Sequence, residues 1–367
     1  MNNSPVNIYT EWGPLEEVIV GDFHNYTIPK EIDEVDISFR SFYHDNLFRN
    51  IQNFRRYKLN IYATNVRKYP AEIEEERNED IDNIAKILES LHIIVKRPDR
   101  LEFIKEFVTP DWVNVTSPCG NVRDQFLVIG DEIIETSPMI RGRYFENNLL
   151  KKHLLYYFNH GAKWTVAPKP FMREESFDRS YFNENPVNID VNKFEIMFDG
   201  AQCLKFGKDI LFNVSNHNHI LGAIWLQRHL GDKFNVHQVR ITDSHLDGSF
   251  LPLKPGVLLV HEEMFTKRDL LPKSLKKWDF VPFLDEQPPE TNNEDLLLAS
   301  KSINMNVFSI DSERVMINDQ AVNTIKRLEQ AGFTPIPIRL RHSRLYSGAF
   351  HCSTLDIRRK EHLESYI

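Results

Sequence analysis

The order of apolar segments along the chain predicts an α/β protein. Short apolar runs of strand length alternate with longer segments in which apolar residues recur at helical spacing. Glycine or proline closes several of these segments, as at Gly21, Pro168 and Gly332. A recurring strand–helix–strand order of this kind is typical of the α/β class. No repeat of about 20 to 50 residues is visible by eye in the sequence.

The first part of the chain contains one strand, a long irregular excursion and one helix. Residues 16–21 form a short apolar strand that ends in a glycine. Residues 22–62 have no clear period and contain clustered aromatic side chains, so we interpret them as an excursion that covers a site. Early acidic residues and apolar residues at helical spacing predict a helix over 71–91, and 92–96 follow as a strand.

The rest of the chain continues the alternation. Strands are predicted at 126–130, 163–166, 209–214, 236–241, 257–260 and 334–338, and a hairpin at 305–310 and 314–317. Helices are predicted at 146–158, 216–230, 267–277 and 322–330. Residues 171–194 and 285–295 are polar and have no period, which favours loops.

Length, charge and cysteine content restrict the class of protein. The chain has 367 residues, enough for one large domain or two, and its formal net charge of -8 argues against a nucleic-acid partner. It contains no apolar run of about 18 residues that could form a membrane helix, and its start lacks a signal-peptide pattern. Its three widely spaced cysteines fit neither a disulfide framework nor a metal site. We therefore expect a cytoplasmic protein with no metal, no cofactor, and no membrane or nucleic-acid partner.

Cys352 is the candidate nucleophile. It follows Ser347, Gly348 and Ala349, small residues that allow a backbone to turn tightly and approach a ligand. A histidine precedes it and two hydroxyl side chains follow it. A thiol on a tight turn among polar neighbours has the access that a reactive thiolate needs. The alternative is a small buried side chain that fills a gap in the core.

Three carboxylates and an imidazole lie near the ends of predicted strands, where α/β proteins place ligands. They are Asp124, Asp199, His245 and Asp247. The ordinary alternatives are a helix or turn cap for Asp124, an Asp-Gly turn for Asp199 and an exposed loop position for His245. Together with the cysteine, however, these side chains suit a cationic, planar substrate carbon.

A guanidinium group is a substrate of that kind. Carboxylates bind its fixed fork of donors bidentately and orient it. The cysteine can then attack the central carbon, while the histidine protonates the departing amine and later accepts a proton from the incoming nucleophile. Because the bound cation stabilises a thiolate, it lowers the pKa of the cysteine. We therefore expect substrate-assisted activation of the thiol rather than a thiolate in the free enzyme.

An ordered series of short motifs resembles the amidinotransferase family, which includes the arginine:glycine and inosamine-phosphate amidinotransferases. The series covers nearly the whole chain. Its motifs are Glu11-Trp12-Gly13-Pro14-Leu15-Glu16-Glu17-Val18-Ile19-Val20-Gly21, Gly130-Asp131-Glu132-Ile133-Ile134-Glu135, Gly161-Ala162-Lys163-Trp164, Ala167-Pro168-Lys169-Pro170, Phe198-Asp199-Gly200-Ala201, His245-Leu246-Asp247 and Gly348-Ala349-Phe350-His351-Cys352. Each short piece is a weak signal alone, whereas the ordered series is specific.

The resemblance implies a single catalytic domain over 1–367, folded as a five-fold pseudosymmetric α/β propeller around a central cavity. It implies transfer of an amidino group from L-arginine, which leaves as L-ornithine, to an amine acceptor. Relatives often pair, so a homodimer is also implied.

The same matching assigns roles to site residues. Cys352 would be the nucleophile that carries the amidino group, and His245 would be the general acid and base. Asp199 would be the carboxylate that partners this histidine. Asp124 and Asp247 would hold the guanidino donor.

Three further positions concern the substrates. Ser300 falls where the family has a substrate-contacting serine. Met264 stands where members that use arginine have an arginine that grips the donor's carboxylate, and Lys267 or Arg268 could take over that role. The loop at Ser244 departs from the glycine-using enzyme, which has a bulkier apolar residue there, and this favours an acceptor larger than glycine.

Two other features have ordinary interpretations. The basic segment 267–277 is interpreted as the solvated face of a helix, and the alternative is attraction of an anionic donor or a phosphorylated acceptor. The histidines at positions 217, 219, 229 and 237 lack a third metal ligand beside them, and we interpret them as surface or capping residues.

Two other functions compete with amidino transfer. A hydrolase of the arginine deiminase type would use the same fold and a covalent cysteine intermediate, but water would resolve the intermediate. A binding protein that kept the fold without catalysis is the other alternative. The Trp-Gly-Pro-Leu-Glu-Glu and Phe-His-Cys motifs favour transfer, because they match that branch of the resemblance in detail.

Overall fold

The computed structural model describes residues 4–27, 68–178, 191–242, 245–283 and 301–367. The predicted excursion at 22–62 lies outside these residues apart from its start, and the predicted loop at 285–295 lies wholly outside them. None of the helices in the described ranges is long and apolar enough to cross a membrane.

Short strands and a few α-helices make up the described chain. The strands are β1 (Leu15–Val20), β2 (Ile94–Lys96), β3 (Glu106–Val108), β4 (Val113–Val115), β5 (Phe126–Ile129), β6 (Glu132–Glu135), β7 (Lys163–Val166), β8 (Cys203–Phe206), β9 (Asp209–Asn213), β10 (Asn235–Val239), β11 (Phe250–Lys254), β12 (Val257–His261), β13 (Asp279–Phe283), β14 (Phe308–Ser309), β15 (Arg314–Asn318), β16 (Thr334–Ile338) and β17 (Thr354–Arg359). The α-helices are α1 (Ala71–Ser90), α2 (Val122–Gln125), α3 (Lys151–Asn159), α4 (His217–Leu230) and α5 (Val322–Gln330).

Fifteen of these strands assemble into five three-stranded sheets that share one plan. In each sheet the first strand pairs antiparallel with the second, and the second pairs parallel with the third. The sheets contain β5–β7, β8–β10, β11–β13, β14–β16 and, last, β17 with β1 and β2. Helices α3, α4, α5 and α1 lie in four of the parallel crossovers, and 3-10 segments lie in the crossover from β12 to β13. This repetition agrees with the predicted five-fold α/β propeller.

The fifth sheet joins the two ends of the described chain. In its antiparallel register Val18 faces Asp356 and Val20 faces Thr354. The fully buried Arg359 reinforces the junction, because its Nη1 donates to the carbonyl oxygen of Gly13 at 2.5 Å, just before β1. The sheet that begins directly after Cys352 therefore forms only when distant parts of the chain meet.

Local sequence explains the main elements. Helix α1 buries an apolar stripe that includes Ile73, Ile81, Ile84 and Leu88, spaced for one helical face. Helix α4 starts after Asn216, whose side-chain oxygen accepts a hydrogen bond from the backbone N–H of His219 at 3.0 Å. Strands β5 and β9 are buried along their whole length, which is why β5 and the centre of β9, Ile210 to Phe212, are continuous apolar runs rather than alternating ones.

Most predicted elements are confirmed to within a few residues. These are the strands predicted at 16–21, 126–130, 163–166, 209–214, 236–241, 257–260, 314–317 and 334–338 and the helices predicted at 71–91, 216–230 and 322–330. The helix predicted at 146–158 begins as a 3-10 segment, Glu146–Leu150, and continues as α3. The α-helix predicted at 267–277 is wrong, because only the 3-10 segments Glu262–Leu270 and Leu275–Lys277 occur there.

Several strands lacked a clear signal in the sequence. Strand β8 contains Lys205, whose buried ammonium is neutralised by Glu11 at 2.8 Å, a partner nearly two hundred residues earlier. Strand β13 contains Pro282, which a strand tolerates at the edge of a sheet, and β13 lies at such an edge. The hairpin of β3 and β4 is a separate two-stranded insertion before the first propeller unit.

Candidate active site

Each propeller unit contributes site residues at the same place, directly before its first strand. Because the first strand runs antiparallel to the other two, its start lies at the same sheet edge as their carboxyl ends, where α/β proteins bind ligands. The residues, in unit order, are Asp124, Asp199, His245 with Asp247, Asn306, and Cys352. Five of the six residues that the sequence predicted as the site are among them; the sixth, Ser300, lies outside the described residues.

Cys352 is held on a tight, buried turn. Its backbone N–H donates to Asn306 Oδ1 at 2.9 Å, and its Sγ lies 3.6 Å from Asp247 Oδ2. The turn needs glycine at position 348, because a Cβ there would lie 2.1 Å from Asn121 Oδ1. Arg77 ties the same turn to α1 by donating from Nη2 to the carbonyl oxygen of Gly348 at 3.0 Å.

The thiol of Cys352 is neutral in the unliganded protein. Burial raises its pKa well above the usual value, and the negative charges of Asp247 and Asp124 raise it further. A cation bound between these carboxylates and the sulfur would cancel that effect. This electrostatic environment agrees with the predicted substrate-assisted activation.

His245 lies between two carboxylates. Its Nε2 is 3.0 Å from Asp199 Oδ2, and its Nδ1 is 3.6 Å from Asp124 Oδ1. Burial alone would lower its pKa, but the charge of Asp124 and the hydrogen bond and charge of Asp199 raise the pKa to about 9. The imidazole therefore carries a proton at neutral pH and can donate it.

Local packing positions Asp199. The backbone N–H of Asp199 donates to Gln202 Oε1 at 2.9 Å, so the turn interpretation of this residue is also correct. The next residue, Gly200, packs so closely that a Cβ would lie 2.1 Å from the carbonyl oxygen of Phe126. This contact brings the segment before β8 against the start of β5, and hence Asp199 towards Asp124.

Asp124 has one oxygen engaged and one available. Its Oδ2 accepts a hydrogen bond from Arg143 Nη1 at 2.7 Å. Its Oδ1 is buried and has no hydrogen-bond partner within the described part of the chain. Burial raises the pKa of Asp124, and the positive charges of His245 and Arg143 oppose that effect. A buried carboxylate oxygen of this kind can accept an N–H from a ligand.

Asp247 is an ionised, fully buried carboxylate. Its Oδ2 accepts a hydrogen bond from His351 Nδ1 at 2.8 Å. Burial favours the neutral acid, but the hydrogen bond and charge of His351 and the charge of His245 hold the pKa of Asp247 below its usual value. Asp247 thus presents negative charge beside the sulfur of Cys352.

The structure adds site residues that the sequence analysis did not assign. Arg143 forms a fork with Glu146, with Nε to Oε1 and Nη2 to Oε2 both at 2.9 Å, while it holds Asp124. Burial, opposed by Arg143, raises the pKa of Glu146 to about 7. No local pattern marked this pair, because it lies in an irregular connection between β6 and α3. His351 was visible only as the neighbour of Cys352 in sequence.

The residues proposed to meet a donor carboxylate do not form a cationic site. Met264 is buried in an apolar cluster with residues such as Leu259 and Phe283. Lys267 donates to the carbonyl oxygen of Ile241 at 2.9 Å, and Arg268 donates from Nε to the carbonyl oxygen of Lys276 at 3.0 Å. Both cations are therefore engaged with backbone groups. Ser244 lies outside the described residues.

One of the four histidines was interpreted wrongly as a surface or capping residue. His219 is 1% exposed, and its Nδ1 accepts a hydrogen bond from the backbone N–H of Ser215 at 3.2 Å. Burial lowers its pKa to about 3, so the ring stays neutral. The other three pair with carboxylates: His217 with Asp178, His229 with Glu132 and His237 with Asp209.

Comparison with known proteins gives a consistent picture. No protein-family model matches the chain. The chain is 34% identical over 373 residues to the L-arginine:L-lysine amidinotransferase of Pseudomonas savastanoi pv. phaseolicola, covering 100% of this chain and 98% of that protein. It is 31% identical over 378 residues to the mitochondrial glycine amidinotransferase of Xenopus laevis, covering 99% and 85%. A solved amidinotransferase from the saxitoxin biosynthetic pathway of Microseira wollei has a TM-score of 0.83 at 32% identity, covering 99% of this chain and 100% of that chain.

More distant solved structures share the fold alone. The N-terminal domain of a cyanobacterial arginine dihydrolase has a TM-score of 0.54 at 14% identity, covering 94% of this chain and 98% of that one. This likeness supports the propeller architecture. It carries no information about which reaction the present chain performs.

Proposed function

This chain belongs to the amidinotransferase family, and we propose that it moves the amidino group of L-arginine to an amine through a covalent amidino-cysteine on Cys352. The observation that carries the proposal is the pair of buried carboxylates around the nucleophile. Asp247 Oδ2 lies 3.6 Å from the sulfur, and Asp124 keeps one oxygen without a hydrogen-bond partner among the described residues. Such a site suits a planar cation that can donate hydrogen bonds to both acids.

The first half-reaction transfers the amidino group to the enzyme. The donor guanidinium binds to Asp124 and Asp247, and its charge allows the thiol of Cys352 to release its proton to solvent. The thiolate forms a C–S bond with the central guanidino carbon. As the C–N bond to the ornithine side chain breaks, His245 gives its proton to that departing nitrogen. L-Ornithine leaves, and the amidino group stays on the sulfur.

The second half-reaction uses the same groups in reverse. The acceptor amine attacks the amidino carbon, and the now neutral His245 takes a proton from the attacking nitrogen. The C–S bond breaks and the thiolate of Cys352 returns. Asp199 keeps the imidazole oriented and stabilises its charged form through both steps, since it lies 3.0 Å from Nε2.

Neither Met264 nor the predicted replacements Lys267 and Arg268 are placed to bind the donor's carboxylate. Met264 is apolar and buried, and Lys267 and Arg268 bind backbone carbonyls. Arginine remains the proposed donor because a relative that shares 34% identity with this chain is named for it. The proposed product is a guanidino-containing metabolite.

The test is to mix the purified protein with L-arginine alone and determine its intact mass. We expect a gain of one amidino group, mapped to Cys352 by peptide mass spectrometry, with release of ornithine. Adding amines should remove the adduct and give a guanidino product, and Cys352→Ala should form no adduct while remaining folded. Lysine is the first acceptor to try, because a relative that shares 34% identity with this chain is named for it.

Two other outcomes would contradict the proposal. A hydrolase of the arginine deiminase type expels ammonia first, so its adduct would carry the rest of arginine, and water would release citrulline. A protein that binds arginine without forming any adduct would be a catalytically silent member of the family. The curated relatives are transferases and the hydrolases share only the fold, which favours transfer.

We also propose that residues 1–367 act as one catalytic domain, a reading supported by the pairing of β1 with β17. A cytoplasmic location is proposed because Cys119, Cys203 and Cys352 are unpaired, as in a reducing compartment. The proposed homodimer follows from the family resemblance and is tested by sedimentation velocity.

A further inference from the structure

We propose that Glu11 is a positioning residue that acts through His351 to fix Asp247 beside the nucleophile. The inference deepens the proposed function, on which it rests, because Asp247 is assigned there to the guanidino donor. Glu11 opens the first motif of the sequence, more than three hundred residues before Cys352. Its side chain is 4% exposed and does not face solvent.

His351 is clamped between two carboxylates. Its Nδ1 lies 2.8 Å from Asp247 Oδ2, and its Nε2 lies 3.2 Å from Glu11 Oε2. The three side chains are between 1% and 3% exposed. Ionised carboxylates only accept hydrogen bonds, so both contacts are satisfied only when both ring nitrogens carry a proton. A neutral ring would turn a lone pair towards one of the two acids.

Glu11 is itself fixed as an anion. Its Oε1 lies 2.8 Å from Lys205 Nζ and accepts the backbone N–H of Lys205 at 3.1 Å, while its Oε2 lies 3.5 Å from Arg123 Nη1. Burial alone would raise the pKa of Glu11, but Lys205, the hydrogen bond from His351 and Arg123 hold it far below the usual value. Glu11 is therefore a permanent negative charge behind His351.

The effect of Glu11 reaches the sulfur of Cys352 through Asp247. The imidazolium anchors Oδ2 of Asp247, and the same oxygen lies 3.6 Å from Cys352 Sγ. Without Glu11 the ring would have one anion instead of two, and only its Nδ1 would need to carry a proton. Asp247 would then lose one of its charged partners, and burial would favour its protonated form.

The charged groups around the row of Glu11, His351 and Asp247 come from several elements. They are Glu11 before β1, Arg123 on α2, Lys205 on β8, Asp247 before β11, and Cys352 and Asp356 at β17. A competing explanation is that Glu11 only neutralises the buried Lys205. The two explanations differ in what happens when both charges are removed together.

The experiment compares Glu11→Gln, Lys205→Met and the double variant. The measured quantity is kcat/KM for L-arginine from pH 6 to 9, with lysine as the acceptor. We expect Glu11→Gln to lower kcat/KM about tenfold or more at pH 8 and less at pH 6, because a ring with one carboxylate partner needs a proton on only one nitrogen. The double variant should show the same larger loss of kcat/KM at pH 8, whereas Lys205→Met should show no loss that depends on pH.

A second readout does not depend on the donor. Histidine-selective ¹⁵N labelling reports whether each ring nitrogen carries a proton, and His351→Gln assigns the signal of His351. At pH 7.5 we expect both nitrogens of His351 to be protonated in the wild type and one to be unprotonated in Glu11→Gln. If arginine gives no turnover at all, the proposed function fails, and this readout still decides the position of the proton.

Three results would overturn the inference. The first is an unprotonated ring nitrogen on His351 in the wild type at pH 7.5. The second is a loss of kcat/KM in Glu11→Gln that is equal at every pH. The third is recovery of the wild-type profile in the double variant, which would reduce Glu11 to a partner of Lys205.

Discussion

Two histidines of this protein each lie between two carboxylates, yet their surroundings differ. His245 is 3.0 Å from Asp199 and 3.6 Å from Asp124, and its side chain is 12% exposed. His351 is 2.8 Å from Asp247 and 3.2 Å from a glutamate, and its side chain is 3% exposed. Residue types are nearly the same in the two clusters, so composition does not separate their roles.

The difference lies in how deeply each ring is buried. A histidine that exchanges protons with substrate needs access, and the partial exposure of His245 provides it. A histidine with short contacts on both nitrogens and no exposure is suited to hold a neighbouring carboxylate in place. Geometry around the ring, rather than the ring itself, distinguishes an acid–base group from a positioning group.

Removing His245, the more accessible histidine, should have the largest effect. His245→Gln should lower turnover by roughly 10²- to 10⁴-fold, the usual contribution of general acid–base catalysis. Steady-state rates with arginine and lysine measure this effect. The matched control is His237→Gln, whose ring pairs with Asp209 and is 36% exposed, and which should retain activity. A His245→Gln enzyme with more than a tenth of wild-type activity would remove the distinction between the two rings.

Neutralising Asp247, the carboxylate partner of His351, should change catalysis and the reactivity of the free thiol in opposite directions. Asp247→Asn should lower kcat/KM for arginine by roughly 10- to 100-fold, the value of a hydrogen bond to a charged group. The same change should speed alkylation of Cys352 by iodoacetamide at pH 8, because a negative charge that raises the thiol pKa is gone.

Peptide mass spectrometry separates Cys352 from the buried Cys119 and Cys203 in that experiment. Asp269→Asn is the control, because its side chain is 98% exposed and it should change neither quantity. Slower alkylation in Asp247→Asn would show that the acid activates the thiol, contrary to the electrostatics of the unliganded site.

The smallest expected effect concerns stability. The folded pKa of His245 is about 9, above the value of about 6.5 for an unfolded histidine. The contribution of the protonated His245 ring to the free energy of unfolding is therefore fully present below pH 6.5 and is lost as the pH rises through 9. It amounts to at most about 3 kcal/mol, reduced by the partial exposure of the ring.

Urea unfolding of wild type and His245→Gln at several pH values tests this contribution. We expect the difference in free energy of unfolding to be largest near pH 6 and to shrink by pH 9. A difference that grows with pH would mean that the neutral ring is the form that the fold stabilises.

The sequence predicted the local structure better than it predicted which strands and side chains pair. Apolar period and turn residues located most strands and helices, because these signals act over a few neighbouring residues. Strands β8 and β13 lacked a clear signal, and β8 contains a buried lysine that only a distant glutamate, Glu11, neutralises. Family motifs marked Cys352, His245 and Asp199, and their assigned roles remain predictions.

By itself the sequence determined the elements, the α/β class and the residue types available for chemistry. Only the tertiary structure decided which side chains meet. Glu11 and His351 are 340 positions apart, and Asp247 and His351 are 104 apart. In each propeller unit the segment before the first strand lies at the corresponding edge of its sheet. The packing of the five sheets therefore decides which of these segments are neighbours. Burial and interatomic distances in these segments then determine which side chains are charged and which carry a proton. Neither burial nor distance can be read from the sequence.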